Sequence, residues 1–452
     1  MNSVKTYLPN DRPPFGELVL LGFQHVLTMF PATIFVAALT GFHVGTVLVV
    51  SGVGTVVALL LSKWRLGTFI PLFYGSSFSY IAAYLAIVTE MTGDIPKFGV
   101  PVPDNVLSTM QAGIVVTGLL NIVIGMIIRA VGKDKLDQVL PPVVTGSVAA
   151  IIGFGLAYAA LDMAAANWGV ALTTLLLTIL FSVYLQGKGF IGMLPVLLGA
   201  VGGCLMSSVM DPGSFNMSGV QDASWFQFPH FTFPVFSGAM VGTAIFSIAV
   251  MAIATIPEST AHLYQIGLYV DRTAEETGRE KPGLAKYVGF NLILDGIDDF
   301  LKGLAGATAG TNYGENNSLM AITRNYSGPA LIAAGVIAAL LGFVGKLEGL
   351  VASVPMAVTG GLAIYLFGVV GMQGIALMQE HKVNMFVPRN LAVGATIMVI
   401  GIGGNIGFEG GFLSINFLQG TFPNGLPAIA TAAVMGILIN AIFLIFKPSS
   451  ES

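Results

Sequence analysis

Apolar runs of roughly 20 residues, each long enough to cross a hydrocarbon core of about 30 Å, recur from the first twenty residues of this chain to its last ten. A water-soluble fold has nowhere to hide so much apolar surface, so almost the whole polypeptide must lie in a bilayer. Composition agrees: 55% of the 452 residues are hydrophobic and 9% charged, with a mean hydropathy of +0.83, whereas a soluble domain is about one quarter charged. The net charge of -4 is scattered over short loops without a basic or acidic tract, which argues against nucleic-acid binding. Cys204 is the single cysteine, and no Cys/His cluster has metal-ligand spacing, so neither an internal disulfide nor a metal centre is expected. The N-terminus lacks a cleavage site after a short apolar core, so the first run is expected to remain as a span.

Fourteen runs are expected to cross, near 15–38, 43–62, 69–88, 107–128, 138–160, 166–185 and 190–210, then near 234–262, 285–303, 309–323, 328–350, 355–378, 388–405 and 426–446. Cytoplasmic loops are rich in Lys and Arg. With the N-terminus inside, sixteen of the nineteen basic residues fall on the inner side and only Lys97, Lys302 and Lys346 on the outer. Omitting one run would reverse every later loop, so the distribution favours an even number of spans with both termini cytoplasmic.

Two runs make poor continuous helices. The third holds Tyr74-Gly75-Ser76-Ser77-Phe78-Ser79 and the tenth Tyr313-Gly314-Glu315-Asn316-Asn317-Ser318, each in the third span of its half, with the Tyr-Gly pairs 239 residues apart. Seven spans per half require the halves to run in opposite directions. Glycine-interrupted segments at matching places in an inverted repeat point to a transporter's binding site, because broken helices expose backbone groups at the midplane. Irregular backbone survives at that depth only against protein or a water-filled cavity. Tight helix packing alone is the competing explanation for Gly-Ser pairs.

Ionisable and strongly polar residues inside these runs are candidates for function, since each is costly in hydrocarbon unless it faces a cavity or partner. Glu258 and His262 are four residues apart in Ile256-Pro257-Glu258-Ser259-Thr260-Ala261-His262 and share a face if that stretch is helical. Glu315 lies in the broken tenth span, Gln24 and His25 in the middle of the first, and Asp295 in the ninth. Plainer roles compete: Pro257 ending the helix beside a solvated Glu258, a structural hydrogen-bonded His262, Asp295 as a cap, and Asp298, Asp299 and Lys302 as a polar helix end. His43, His230 and His381 fall in loops or at helix ends, where exposure is expected.

The stretch from Thr311 to Arg324, Thr-Asn-Tyr-Gly-Glu-Asn-Asn-Ser-Leu-Met-Ala-Ile-Thr-Arg, resembles the signature of the nucleobase/ascorbate transporters: Glu, Gln or Pro, then Asn, any residue, Gly, four residues, Thr and Arg. Ser318 stands where the signature has Gly. Leu21-Gly22-Phe23-Gln24-His25-Val26-Leu27-Thr28-Met29-Phe30 is similar to the family's first-span motif, and Leu140-Pro141-Pro142-Val143-Val144-Thr145-Gly146 to the start of its fifth span. The resemblance covers almost the whole chain and falls closest to the bacterial uracil permeases, where the first signature residue is Glu, as Glu315 is here. It implies an all-α integral membrane protein, a 7+7 inverted repeat with spans 3 and 10 broken by short extended segments. A core domain (15–128 and 234–350) and a gate domain (138–210 and 355–446) are implied, with dimerisation through the gates.

The resemblance further implies proton-coupled uptake of uracil across a bacterial inner membrane, with no cofactor beyond the coupling protons. Glu258 and Glu315 would be direct ligands, His262 would lie near them, and Gly314, Phe78 and Tyr313 would surround the ring. Gln24, His25, Ser77, Asn316 and Asp295 would support the site. Uracil is flat and neutral, with two N–H donors and two carbonyl acceptors, so carboxylates and helix-terminal N–H groups are complementary to it. A glutamate in such a site can also carry the coupling proton. A xanthine or purine permease of the same family is the nearest alternative, although many purine carriers have Gln where Glu315 stands. An anion transporter of similar architecture would show a basic residue or bare helix N-termini at its centre, where two carboxylates are expected. Intramembrane enzymes are disfavoured, since no Gly-x-Gly-Asp, His-Glu-x-x-His or Gly-x-Ser-x-Gly occurs, and Gly401–Gly411 reads as a loop or helix end.

Overall fold

The computed structural model describes residues 6–132, 138–416, 422 and 425–446. Of the basic residues assigned above to the inner side, Lys5, Lys133, Lys135 and Lys447 lie outside them. Each expected run contains a helix. In the first half these are α1 (Phe15–Thr40), α2 (Val44–Leu66), α3 (Ile81–Thr92), α4 (Asp104–Val131), α5 (Pro142–Ala165), α6 (Trp168–Tyr184) and α7 (Pro195–Met210). The second half contributes α8 (Val241–Glu276), α9 (Val288–Ala305), α10 (Gly314–Thr323), α11 (Gly328–Leu341), α12 (Met356–Glu380), α13 (Pro388–Gly407) and α14 (Ala428–Ile445). Among the described residues, eight helices are individually long and apolar enough to cross a membrane, or nine if α11 is joined to the helix Gly345–Ala352.

Short strands precede the two abbreviated helices. Strand β1 (Tyr74–Ser76) pairs antiparallel with β2 (Gly310–Asn312), in the register Tyr74↔Asn312, Gly75↔Thr311 and Ser76↔Gly310. This corrects the alignment of the halves made from their Tyr-Gly pairs. Tyr74-Gly75 lies within β1, whereas Tyr313-Gly314 follows β2 and opens α10. Matched strand to strand, Tyr74 corresponds to Gly310, an offset of 236 (310 − 74), three residues from the expected value.

Helix packing carries the same inverted symmetry. If spans 1–7 and 8–14 are exchanged, the α2–α11 pair maps onto α9–α4, and α5–α12 and β1–β2 map onto themselves; all four pairs are in contact. Glycines bring these helices together. A Cβ on Gly52 would lie 2.2 Å from the Gly335 carbonyl, one on Gly118 2.6 Å from that of Gly296, and one on Gly374 2.5 Å from that of Gly146. Each contact recurs seven residues away in two of the pairs, with Gly45 against Gly342 and Gly125 against Gly289. In a bilayer apolar helices gain little from hiding greasy side chains, so close backbone approach at small residues drives their association. Apolar side chains such as Trp64, Leu176, Leu205 and Ile442 point outward, as a lipid-facing surface requires.

Helices α1, α2, α4, α8, α9 and α11 form one packed group, and α5, α6, α7, α12, α13 and α14 another. Two boundaries differ from expectation. The 328–350 run bends by 76° between Leu341 and Gly345, where Gly342 is pressed against the Gly45 carbonyl and Val344 is extended. Helix α8 runs on to Glu276, because hydropathy marks where a helix leaves lipid rather than where its hydrogen bonds end. The glycine-rich stretch from Gly401 is a helix end, one of the two forms expected: α13 passes through a π-helical turn, Val399–Gly403, and stops at Gly407.

Candidate functional site

Pro257 does not end its helix: α8 continues through it, so Glu258 and His262 sit on successive turns of one face. Glu258 is half-buried and interacts electrostatically with His262 and with Glu315. Glu315 occupies the first turn of α10 and is exposed. His262 packs against Gly314 at the start of α10, so the turn of α8 that carries Glu258 and His262 faces the first turn of α10, which carries Glu315. Here the N–H groups of Gly314, Glu315 and Asn316 open the helix without intrahelical acceptors.

The backbone of the crossing explains the glycines. His262 Nδ1 lies 2.8 Å from the Asn312 carbonyl and 3.0 Å from its Oδ1, so Nδ1 carries the donated proton and Nε2 points away from that pair. A Cβ on Gly314 would come within 2.7 Å of that Nε2, and one on Gly75 within 2.3 Å of the Tyr313 ring. The Tyr313 hydroxyl donates to the Ser76 carbonyl at 2.8 Å and pairs with the Thr33 hydroxyl at 2.8 Å, fastening α1 and both strands together. Asn317 donates to the His262 carbonyl at 3.0 Å.

The remaining expected residues surround this centre unevenly. His25 is buried, and its Nδ1 accepts from Asn316 at 3.0 Å. Gln24 is half-buried beside it, with Oε1 enclosed and without a hydrogen-bond partner. Ser77 accepts from Ser79 N–H at 3.2 Å and donates its own N–H to the Ala309 carbonyl, closing the turn after β1. Phe78 stacks on Phe35 of α1 at 6.1 Å between centroids, whereas the ring stacked on Tyr313 is Phe73, at 6.4 Å. Asp295 is buried and accepts from the Ser259 hydroxyl, which in turn accepts from the amides of Asn291 and Asn312 at 2.7 Å each. It thus braces β2 against the turn of α8 that carries Glu258, and it is no helix cap.

Sequence reasoning placed Asp298, Asp299 and Lys302 at a polar helix end. They are instead among the most buried residues, with Lys302 and Asp298 side chains 0% and 1% exposed and paired at 2.6 Å. Lys302 Nζ donates to the Gly75 carbonyl at 2.9 Å, and Asp299 accepts from Gly310 N–H at 2.7 Å and from Asn121 at 3.2 Å. One helix face therefore grips both strands. The signal was present as Asn291, Asp295, Asp298 and Lys302, at helical spacing along one stripe. Lys302 belongs to no loop and bears no witness to topology. It does put a cation near the strands, contrary to expectation, but one matched by Asp298. A narrow cleft separates α3 and α8 from α13 and α14, lined by residues including Ala86, Met251, Asn405 and Ala430.

Paired strands opening into half-helices within an inverted repeat define a multi-pass membrane transporter. Solved structures share the fold: the transmembrane domain of the cyanobacterial bicarbonate transporter BicA (TM-score 0.53, 14% identity, covering 97% of this chain and 100% of that one) and the inward-facing murine Slc26a9 anion transporter (TM-score 0.60, 14% identity, 97% and 69%). The permease family profile matches residues 16–410. Relatives include the uracil permeases of Bacillus caldolyticus (34% identical over 443 residues, 96% of this chain and 93% of the relative), Bacillus subtilis strain 168 (32% over 445 residues, 96% and 94%) and Escherichia coli K12 (30% over 448 residues, 96% and 93%). The chain belongs to the permease family, in the uracil permease subgroup of the nucleobase/ascorbate transporters, and is a transporter rather than an enzyme.

Proposed function

We propose that this chain imports uracil together with protons, holding the base between Glu258 and Glu315. The observation that carries the reading is the convergence of these carboxylates at the uncapped N-terminus of α10. Uracil N–H groups need acceptors, which the glutamates supply, and its carbonyls need donors, which the opening N–H groups of α10 supply. His262, Gly314, Tyr313 and Phe78 complete the surroundings, while Gln24, His25, Ser77, Asn316 and Asp295 hold them in place. The names of the relatives support uracil over a purine. The fold is shared with anion transporters, but two carboxylates at the centre disfavour an anion.

In this reading the helices α1–α4 and α8–α11 form a core (15–128, 234–350) that moves against a gate made of α5–α7 and α12–α14 (138–210, 355–446). The cleft between α3/α8 and α13/α14 lies along that boundary. The protein sits in the bacterial inner membrane with both termini cytoplasmic and dimerises through its gates. A carboxylate in an enclosed site takes up and releases a proton as the site changes sides. Uptake of labelled uracil into proteoliposomes, with and without an inward proton gradient, tests this: accumulation should require the gradient. Glu315→Ala should abolish specific uracil binding, and Glu258→Gln should abolish binding or uncouple uptake from protons. Wild-type uptake and pH dependence in both folded variants would overturn the assignment. Uptake of xanthine in place of uracil would move the chain to the purine carriers.

A further inference from the structure

Four residues remote in sequence meet on the face opposite the N-terminus: His43 between α1 and α2, Asp104 at the start of α4, His230 in the segment joining the two halves, and Glu348 in the helix Gly345–Ala352. His43, Asp104 and His230 each present a donor atom within 4.8 Å of the other two. The imidazole rings are 4.6 Å apart, His230 Nε2 is 3.0 Å from Asp104 Oδ1, and His43 Nδ1 is 3.5 Å from Glu348 Oε1. That Glu348 oxygen is enclosed and makes no hydrogen bond. Together with Gln227, Thr46 and neighbouring backbone, His43, His230 and Glu348 line a shallow cleft.

We propose that this cluster binds one divalent transition-metal ion, zinc first among them, with His43, His230 and Asp104 as ligands and Glu348 as the carboxylate that orients His43. Two imidazoles and a carboxylate suit zinc and its neighbours, whereas calcium and magnesium prefer all-oxygen sites. A ligating histidine typically turns its second ring nitrogen to a carboxylate, the relation Glu348 bears to His43. Two carboxylates also balance the charge of the ion. Lys346, two residues from Glu348, is turned aside, its ammonium held by the carbonyls of Val220 and Gln221.

Tetrahedral zinc with ligands at about 2.0–2.1 Å needs donors roughly 3.3 Å apart, so the cluster must tighten on binding. Movement is available where it is needed, since the side chains of His230 and Asp104 are 48% and 62% exposed. The His230 backbone is meanwhile anchored by the Thr46 hydroxyl at 2.6 Å. An ion here would staple the inter-repeat segment to the ends of α1 and α4.

The test uses the full chain in detergent, with any affinity tag removed. Zinc titration by calorimetry should give one site per chain, and cobalt should give the visible bands of a low-coordinate nitrogen and oxygen site. His43→Ala and His230→Ala should each weaken zinc binding more than tenfold, beyond the lower end of the roughly 10–100-fold that outer-shell partners are worth. Glu348→Gln should weaken it less. Uracil uptake by the metal-free His230→Ala variant should match wild type, which shows the fold intact and separates this site from the substrate site. Absence of a stoichiometric zinc site, or unchanged affinity in a His43→Ala/His230→Ala double variant, overturns the proposal.

Discussion

Replacing Lys302 by methionine keeps the length of the aliphatic stem but removes the cation facing Asp298. Both side chains are essentially inaccessible to solvent and lie 2.6 Å apart. The ammonium also donates to the Gly75 carbonyl at 2.9 Å, so its removal strips both Asp298 and that carbonyl of a partner. Removing one partner of a buried pair strands the other charge and costs about 3–5 kcal/mol. The space around Asp298 is tight: a Cβ on Gly54 would lie 1.9 Å from its Oδ1. Relaxation cannot easily bring water to the stranded carboxylate. Adding Asp298→Asn, of the same shape, removes that charge and leaves a buried amide penalty of about 1–3 kcal/mol. Lys302→Met should therefore be the least stable chain and Lys302→Met/Asp298→Asn intermediate, with a coupling of about 2 kcal/mol in a double-mutant cycle. Reversible unfolding in mixed micelles measures the cycle. Equal destabilisation of the single and double variants would refute the argument from uncompensated charge.

Gly314→Ala drives a methyl toward His262 Nε2; overpacking of this kind costs about 1–3 kcal/mol and should appear as weaker uracil binding in calorimetry, with His262→Ala in the same chain relieving the loss of thermal stability. Tyr313→Phe leaves Thr33 and the Ser76 carbonyl without their shared partner and should cost about 1–3 kcal/mol in the same unfolding assay; stability equal to wild type would mean the hydroxyl fastens nothing. Outside the membrane, the Arg279 guanidinium bound to Asp11 holds that carboxyl below its ordinary value, with help from Leu8 N–H. A lowered carboxyl value in the folded state adds stability above the unfolded value of about 4 and loses it as pH falls through the folded one. Partial exposure limits the term to about 0.5–1 kcal/mol, so Asp11→Asn should be less stable at pH 7, and unfolding curves should converge on wild type as pH drops below about 4.

Class, helix placement and the position of the broken segments were legible in the chain because each follows from local properties. Hydropathy over roughly 20 residues decides whether a run enters a bilayer, and glycine with small polar residues in such a run marks a break. The Glu258/His262 spacing likewise needs only the helical period to become a shared face. What the chain could not reveal depended on which distant segments touch. A hydropathy profile sees Asp298, Asp299 and Lys302 only as charge at the end of an apolar run, whereas their burial arises because α9 lies behind β1 and β2 and supplies those strands with side-chain partners. The Tyr-Gly repeat misled by three residues because a dipeptide carries no register, which the cross-strand hydrogen bonds set. His43 and His230 looked like unrelated loop residues, 187 positions apart (230 − 43), since no spacing rule connects residues delivered by a helix–helix turn and a distant inter-repeat segment. All three depend on how the two inverted halves fold against each other, which local sequence does not contain.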